Sequence, residues 1–184
     1  MDAVRTLEYD PVSQDASRAP SPAIRVRAMV EAHHPRIWAL LRRLGVPPEA
    51  LDDAAQQVFI VAARQVERID PARERVYLQG IAVKVASGER RAERRRDNRR
   101  ALIDPPLLPD ELLDQKRARE LLDEVLDAMP FDLRTAFVLF ELDELTVPEI
   151  ATLLEIPTGT ASSRLRRARE AFRAGVDELR KGLR

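Results

Sequence analysis

The chain has 184 residues and carries 31 basic and 31 acidic side chains, so its formal net charge is zero. It contains no cysteine, which excludes a disulfide scaffold, a thiolate metal site and a cysteine nucleophile. No apolar run approaches the ~20 residues of a membrane span, and the segment MDAVRTLEYD lacks a signal-peptide core. Scarce glycine and aromatic residues favour helices over sheets. We therefore predict an all-α, soluble, cytoplasmic protein without membrane insertion.

The zero net charge conceals an uneven distribution of charge along the chain. Residues 23–100 carry 17 basic and 10 acidic side chains (net +7), and residues 146–184 carry 8 and 5 (net +3). Residues 101–145 carry 4 and 12 (net −8), and residues 1–22 carry 2 and 4 (net −2). Such asymmetry is typical either of helices with solvated charged faces or of domains that bind a polyanion. Charge alone leaves both interpretations open.

The first hundred residues predict a tail and three helices. Residues 1–22 mix Pro, Ser, Asp and Ala without periodicity and are predicted to be a disordered tail. Helices are predicted at about 22–44 and 49–66, because apolar residues recur at helical spacing and a Gly-Val-Pro-Pro segment separates the two. A third is predicted at about 75–100, apolar at first and then strongly basic. These helices form one predicted domain, residues 23–100.

The second half predicts a linker and a second helical domain. Residues 101–114 are acidic, contain three prolines and show no sustained period, so they are predicted to be a flexible linker. Amphipathic helices are predicted at 115–129 and at about 133–142, with a proline between them. The second domain is predicted to be residues 115–184.

Residues 146–169 have the pattern of a helix-turn-helix. Thr146 and Glu149 are spaced as a capping box, and Ile156-Pro157 ends that helix. Thr158 is predicted to cap the second helix of the motif, about eight residues long, although Glu155 occupies the turn where glycine is favoured. Beyond Arg164 this helix is predicted to continue with an apolar stripe that packs on the preceding helices: Leu165, Ala168, Phe172, Val176, Leu179 and Leu183. The second helix of such a motif enters the DNA major groove. The predicted DNA contacts are Thr158, Thr160, Ser162, Ser163, Arg164, Arg166 and Arg167. A helical hairpin with a basic exposed face is the alternative.

The third helix ends in the basic run RRAERRRDNRR. This run is either a solvated helix end or a surface that follows the phosphate backbone of a nucleic acid. Phosphate contacts of that kind give the protein a salt-dependent affinity for the nucleic acid. Tyr77 upstream could stack on an unpaired base, although a single tyrosine is more often part of a core.

The order of these segments resembles the bacterial RNA polymerase sigma factors of the extracytoplasmic-function (ECF) type. HHPRIWALLRRLG (33–45) and LDDAAQQVFIVAAR (51–64) resemble helices of sigma region 2, and YLQGIAVKVASGERRAERRR (77–96) resembles its promoter-melting segment. Residues 129–170 resemble region 4. The family's usual pattern differs at Gln57, Val83, Lys84, Gly88 and Ser162.

The resemblance implies a fold of two small helical domains, sigma region 2 and a helix-turn-helix region 4, joined by a flexible linker. It implies promoter-specific initiation without enzymatic activity or cofactor, together with three partners: core RNA polymerase (β′ clamp and β flap), promoter DNA and an anti-sigma factor. The implied polymerase contacts are Asp52, Asp53, Gln56 and Gln57. The implied minus-ten contacts are Tyr77, Gln79, Lys84, Arg90, Arg91, Arg94 and Arg95. The minus-thirty-five contacts are those of the helix-turn-helix.

Two other classes of function fit parts of the sequence. A helix-turn-helix regulator that does not bind polymerase would use residues 115–184 and leave 23–100 for sensing or dimerisation. A nuclease is disfavoured because the adjacent His33 and His34 point about 100° apart on a helix and no acidic cluster stands near the basic segments. The acidic block also suggests that charge attraction keeps the free protein compact, through Asp104, Asp110, Glu111 and Asp114.

Overall fold

The computed structural model describes residues 21–96 and 111–182. Within these ranges the regular structure is helical. The helices are α1 (Pro22–Arg43), α2 (Leu51–Ala63), α3 (Glu74–Arg96), α4 (Glu111–Asp127), α5 (Phe131–Phe137), α6 (Val147–Leu154) and α7 (Thr158–Gly182), and a π-helical segment, Val138–Leu142, follows α5 directly. Short 3₁₀ turns lie at Pro48–Ala50, Val66–Arg68 and Pro71–Arg73. No helix of the described part is long and apolar enough to cross a membrane.

Helices α1, α2 and α3 pack on one another as the first domain. Ser21 caps α1, because its hydroxyl accepts a hydrogen bond from the backbone N–H of Ile24. Gly45 ends α1 at a φ of +83°, with the i→i−5 bond from Val46 N–H to the Leu41 carbonyl that defines a Schellman motif. The predicted apolar stripe of α2 is buried in full: Leu51, Ala54, Ala55, Val58 and Ala62.

Helices α4 to α7 form the second domain, in which α5 and α6 pack against α7. The aromatic rings of Phe137 and Phe172 stack with their centroids 4.5 Å apart. A Cβ at Gly175 would lie 2.9 Å from a methyl of Val125, so a small residue is needed where α7 crosses α4. The apolar stripe predicted along the last helix thus packs against the helices at 111–142, as expected.

The two domains share one continuous apolar core. Leu40 and Leu44 of the first domain and Leu126, Val138 and Leu139 of the second belong to the same buried cluster. Where this cluster lies, the two domains are in direct apolar contact. The two domains therefore meet at a packed interface and are not held together only by a loose linker. We call this arrangement of the two domains the closed form.

Several predicted boundaries were wrong. The predicted linker 101–114 extends too far, because α4 already begins at Glu111; residues 101–110 lie outside the described part, as do residues 1–20 and 97–100. Thr158 lies in the first turn of α7 and does not precede it, since the N–H groups of Thr160 and Ala161 bond to the Pro157 carbonyl. Of the four acidic residues expected to keep the protein compact, Asp104 and Asp110 lie outside the described part, as do the side chains of Glu111 and Asp114.

Candidate nucleic-acid and partner interfaces

The capping box that starts α6 is formed as predicted. The backbone N–H of Thr146 donates to Glu149 Oε2 at 2.8 Å, and the N–H of Glu149 lies 3.5 Å from the Thr146 hydroxyl. The hydrogen bond from the Thr146 side chain, together with that from its backbone, lowers the pKa of the Glu149 carboxyl. These reciprocal bonds satisfy backbone donors at the helix start and fix where the chain enters the motif.

The turn between α6 and α7 depends on a left-handed residue. Glu155 adopts φ 56° and ψ 42°, and the N–H of Ile156 bonds to the Ala151 carbonyl at 3.0 Å. This closes α6 in the manner of a Schellman motif, although glutamate is less favourable here than glycine. Ala151 is buried where α6 meets α7, which lets the two helices approach closely.

The predicted contact residues of α7 lie on its amino-terminal half. Five of them are exposed: Thr158, Ser162, Ser163, Arg166 and Arg167. Thr160 and Arg164 are half-buried, and Arg164 lies 3.6 Å from a carboxylate oxygen of Asp132. Arg166 pairs with Glu170 one turn further on, at 2.8 Å. The helix-turn-helix thus presents hydroxyl and guanidinium groups together, a set of donors suited to phosphates and base edges.

The polar face of α2 is exposed on the first domain. Asp53, Gln56 and Gln57 are exposed, and Asp52 accepts a hydrogen bond from Trp38 Nε1 at 3.0 Å. Sequence reasoning missed Ile60, which is 39% exposed.

The spacing of Ile60 could have identified it. Residues 53, 56, 57 and 60 follow the i, i+3, i+4, i+7 pattern of one helix face, opposite the buried stripe. An exposed large aliphatic side chain among polar ones on such a face favours a docking surface, although single exposed apolar residues are common.

Helix α3 does not present all of its predicted contacts. Gln79 is fully buried, so it cannot contact DNA in this arrangement of the domains. Tyr77 is half-buried, and the exposed Lys84 pairs with Glu155 of the second domain at 3.0 Å. The half-buried Arg90 lies over the ring of Phe131, 5.4 Å from its centroid. The side chains of Arg91, Arg94 and Arg95 lie outside the described part.

Two buried polar residues of the second domain, which sequence reasoning missed, contact the first. Asp143 is 1% exposed, and its carboxylate accepts a hydrogen bond from Gln79 Nε2 at 2.9 Å and lies 3.8 Å from Arg36 Nε. Burial raises the pKa of Asp143, against the hydrogen bond from Gln79 and the charge of Arg36. The amide oxygen of Gln79 is buried without a hydrogen-bond partner.

Arg134 is the second of these residues and is also 1% exposed. Its guanidinium donates to the backbone carbonyls of Arg43 and, at 3.4 Å, of Arg42, and it pairs with Asp127 of its own domain. The carbonyls at the end of α1 are the ones that lack partners within the helix, and they carry its negative dipole end. No sequence signal marks either residue, because their partners lie 64 and 91 positions away.

A groove with a volume of about 910 Å³ runs between α3 and α6. Its walls are mostly apolar, with Val61, Val76 and Ile81 on the first domain and Leu153 on the second. Within the described residues, no group of three or more histidine, aspartate or glutamate side chains gathers as a metal site would require.

These features define a two-domain helical protein with a helix-turn-helix in its second domain. Residues 29–96 match the family model described as Sigma-70 region 2, and residues 119–172 match the one described as Sigma-70, region 4. The two matches cover 68 and 54 residues, or 122 of 184, in the order that the family has. The chain belongs to the sigma-70 family, and its similar proteins are of the ECF type.

Two relatives illustrate the similarity. The ECF RNA polymerase sigma-E factor of Escherichia coli is 39% identical over 71 residues, which make up 39% of this chain and 37% of that protein. The ECF RNA polymerase sigma factor SigE of Mycolicibacterium smegmatis is 28% identical over 152 residues, which make up 79% of this chain and 59% of that protein. The chain thus spans less than two thirds of the length of these relatives.

Two solved structures share the fold. One is CnrH in complex with the cytosolic domain of CnrY, with a TM-score of 0.63 and 23% identity over 85% of this chain and 95% of that one. The other is the sigma factor RpoE in complex with the anti-sigma factor NepR from Bartonella quintana, with a TM-score of 0.66 and 17% identity over 82% and 96%.

Proposed function

We propose that this chain is an ECF sigma factor that binds core RNA polymerase, directs it to promoters and assists promoter melting. The observation that carries the proposal is the presence of region 2 followed by region 4, each folded into helices. The protein works through binding energy, catalyses no reaction itself, needs no cofactor and acts in the cytoplasm with the polymerase.

The exposed face of α2 is proposed to dock on the β′ clamp of the polymerase. Asp52, Asp53, Gln56 and Gln57 supply polar and charged contacts, and Ile60 adds apolar area at the same face. Interfaces of this kind gain most of their energy from a few buried contacts at the centre, with a polar rim that fixes orientation. The β flap is the proposed polymerase contact of the second domain.

The amino-terminal half of α7 is proposed to read the minus-thirty-five element. In a helix-turn-helix the start of the second helix meets base edges, while flanking basic residues hold phosphates. Arg167 is fully available to a phosphate, whereas Arg164 must exchange its Asp132 partner for DNA.

Helix α3 is proposed to contact the minus-ten element. Tyr77 supplies an aromatic face for an unpaired base, and Lys84 and Arg90 supply positive charge, joined by Arg91, Arg94 and Arg95 further along. Gln79 joins these contacts only if the two domains separate, since it is buried between them.

An anti-sigma factor is the remaining proposed partner. Both similar solved structures are described as complexes, one with the cytosolic domain of CnrY and one with the anti-sigma factor NepR. A protein of the same class is proposed to bind this chain.

Binding to core polymerase separates this proposal from a helix-turn-helix regulator that acts without polymerase. The test replaces both Asp53 and Gln56 by lysine on the α2 face, and Glu67→Lys is the control, since Glu67 is also an exposed carboxylate of the first domain. We expect Asp53→Lys combined with Gln56→Lys to abolish binding to fluorescent core polymerase, and Glu67→Lys to leave it unchanged. If the α2 variant bound core polymerase as strongly as the wild type does, the assignment of this face would be overturned.

A further inference from the structure

The backbone that presents Asp143 departs from regular helix on both sides. It is preceded by the π-helical segment Val138–Leu142 and followed by Glu144, a non-glycine residue at a φ of 60°. Both conformations are less favourable than α-helix, and both are typically found where a side chain is re-aimed for a purpose. Here they direct one carboxylate out of the helix-turn-helix domain and into the first domain.

The contacts that offset the burial of that carboxylate are present only while the domains are together. Burying a charged group away from water is unfavourable unless hydrogen bonds and opposite charges replace the lost hydration. Gln79 and Arg36, which supply these contacts to Asp143, both belong to the first domain. The contact therefore links the two domains specifically.

Arg134 repeats this arrangement at a second point. Its guanidinium is buried against the carbonyl end of α1, next to Gly45. A Cβ on Gly45 would lie 2.8 Å from Arg134 Nη1, and the backbone there has a φ of +83°, so glycine suits both the turn and the close approach of the arginine. One buried anion and one buried cation thus cross the interface in the same direction, from the second domain to the first.

Closure affects the two proposed DNA surfaces differently. It buries Gln79 and pairs Lys84 with Glu155, so part of the proposed minus-ten face is covered. Ser162 and Arg167 on the proposed minus-thirty-five face stay exposed. The closed form can therefore present one DNA surface while the other is withheld.

We propose that Asp143 and Arg134 form an interdomain latch that holds the free protein closed and withholds the α3 surface until the domains separate. The identification of the withheld α3 surface as the minus-ten face rests on the function proposed above. The latch itself does not, because it is a property of the free chain. Opening of the latch then precedes, or accompanies, engagement of the minus-ten element.

Domain separation can be measured directly in the full chain by energy transfer between two dyes. Because the chain has no cysteine, dyes can be attached after Glu67→Cys in the first domain and Arg173→Cys in the second, both at exposed positions. The test variants are Asp143→Lys, Arg36→Glu and the two combined. Asp177→Lys, at an exposed carboxylate of α7, makes the same charge change as Asp143→Lys and is the matched control.

We expect each single test variant to lower the transfer efficiency and to raise the open-to-closed ratio about tenfold or more, because it sets two like charges against each other where residue 143 is buried. The combined variant should recover part of the closed population, and Asp177→Lys should match the wild type. Wild-type transfer in both single variants, at unchanged helix content, would overturn the latch. If Asp143→Lys lost helix content, Arg36→Glu would decide the question from the other domain.

A parallel measurement with core polymerase separates the latch from the proposed function. Failure of the wild-type chain and every variant to bind polymerase would overturn the function and leave the energy-transfer result to judge the latch. If the chain binds polymerase but the single variants show unchanged energy transfer, the latch would be overturned and the proposed function would stand.

Discussion

Replacement of Arg167 by alanine tests the proposed DNA face of α7 with one charge. Arg167 is exposed on the first half of the helix, and Arg180 is exposed near its end. Positions 167 and 180 are 13 residue steps apart, which corresponds to about 20 Å along the helix axis at 1.5 Å per residue. Arg180→Ala is therefore a matched control that removes the same charge about two Debye lengths away at ~0.1 M salt.

The expected loss of DNA affinity in Arg167→Ala follows from counterion release. One phosphate contact contributes about 0.9 to the slope of log K against log salt concentration. Loss of that contact should lower the slope by about 0.9 and weaken binding about eightfold at ~0.1 M salt, or about 1.2 kcal/mol. For Arg180→Ala we expect a change of less than about twofold, because screening removes most of the interaction at that distance.

The assay is fluorescence anisotropy of a labelled DNA duplex titrated with the full chain over a series of salt concentrations. The closed form is suitable for this measurement, since the relevant face of α7 is exposed in it. Equal slopes for Arg167→Ala and Arg180→Ala would refute the placement of the first half of α7 on the DNA backbone.

Three further predictions concern stability, each measured by urea unfolding. Thr146→Ala should lower the free energy of unfolding by about 1 kcal/mol at neutral pH. This effect should become smaller in acid. The reason is that the folded pKa of Glu149 is lowered, so its contribution to stability is lost as the pH falls through that pKa. Arg134→Met should lower the free energy of unfolding by about 2–3 kcal/mol, since it removes the charged donor to the Arg43 carbonyl at the end of α1. Arg166→Met, at an exposed pair, should lower it by less than about 0.5 kcal/mol. The raised folded pKa of Asp143 means that the closed protein binds this proton more tightly than the unfolded chain does. The stability of wild type relative to Asp143→Asn should therefore rise as pH falls through the folded pKa toward the ordinary value of 3.8. A pH-independent difference for Asp143, or a Met variant as stable as wild type, would contradict these accounts.

Local features of the fold could be predicted from the sequence because their causes are local. Ser21 and Gly45 bound α1 through a cap and a left-handed turn, and the capping box of Thr146 and Glu149 involves residues three positions apart. The buried stripe of α2 follows from helical period alone. For the same reason the polar face of α2 could be identified, apart from Ile60.

What could not be predicted depends on contacts between distant segments. Gln79 has the side chain of a DNA-contacting residue, and only the folded chain shows it paired with Asp143, 64 positions away. The π-helical segment before Asp143 has no turn residue or proline to announce it.

Transcription from a promoter library by core polymerase, with and without this chain, tests the central claim most directly. The account predicts run-off products with defined start sites that appear only when the chain is added and that disappear with the combined Asp53→Lys and Gln56→Lys substitutions. Absence of any chain-dependent start site, with polymerase shown to be active on an independent promoter with its own initiation factor, would contradict it.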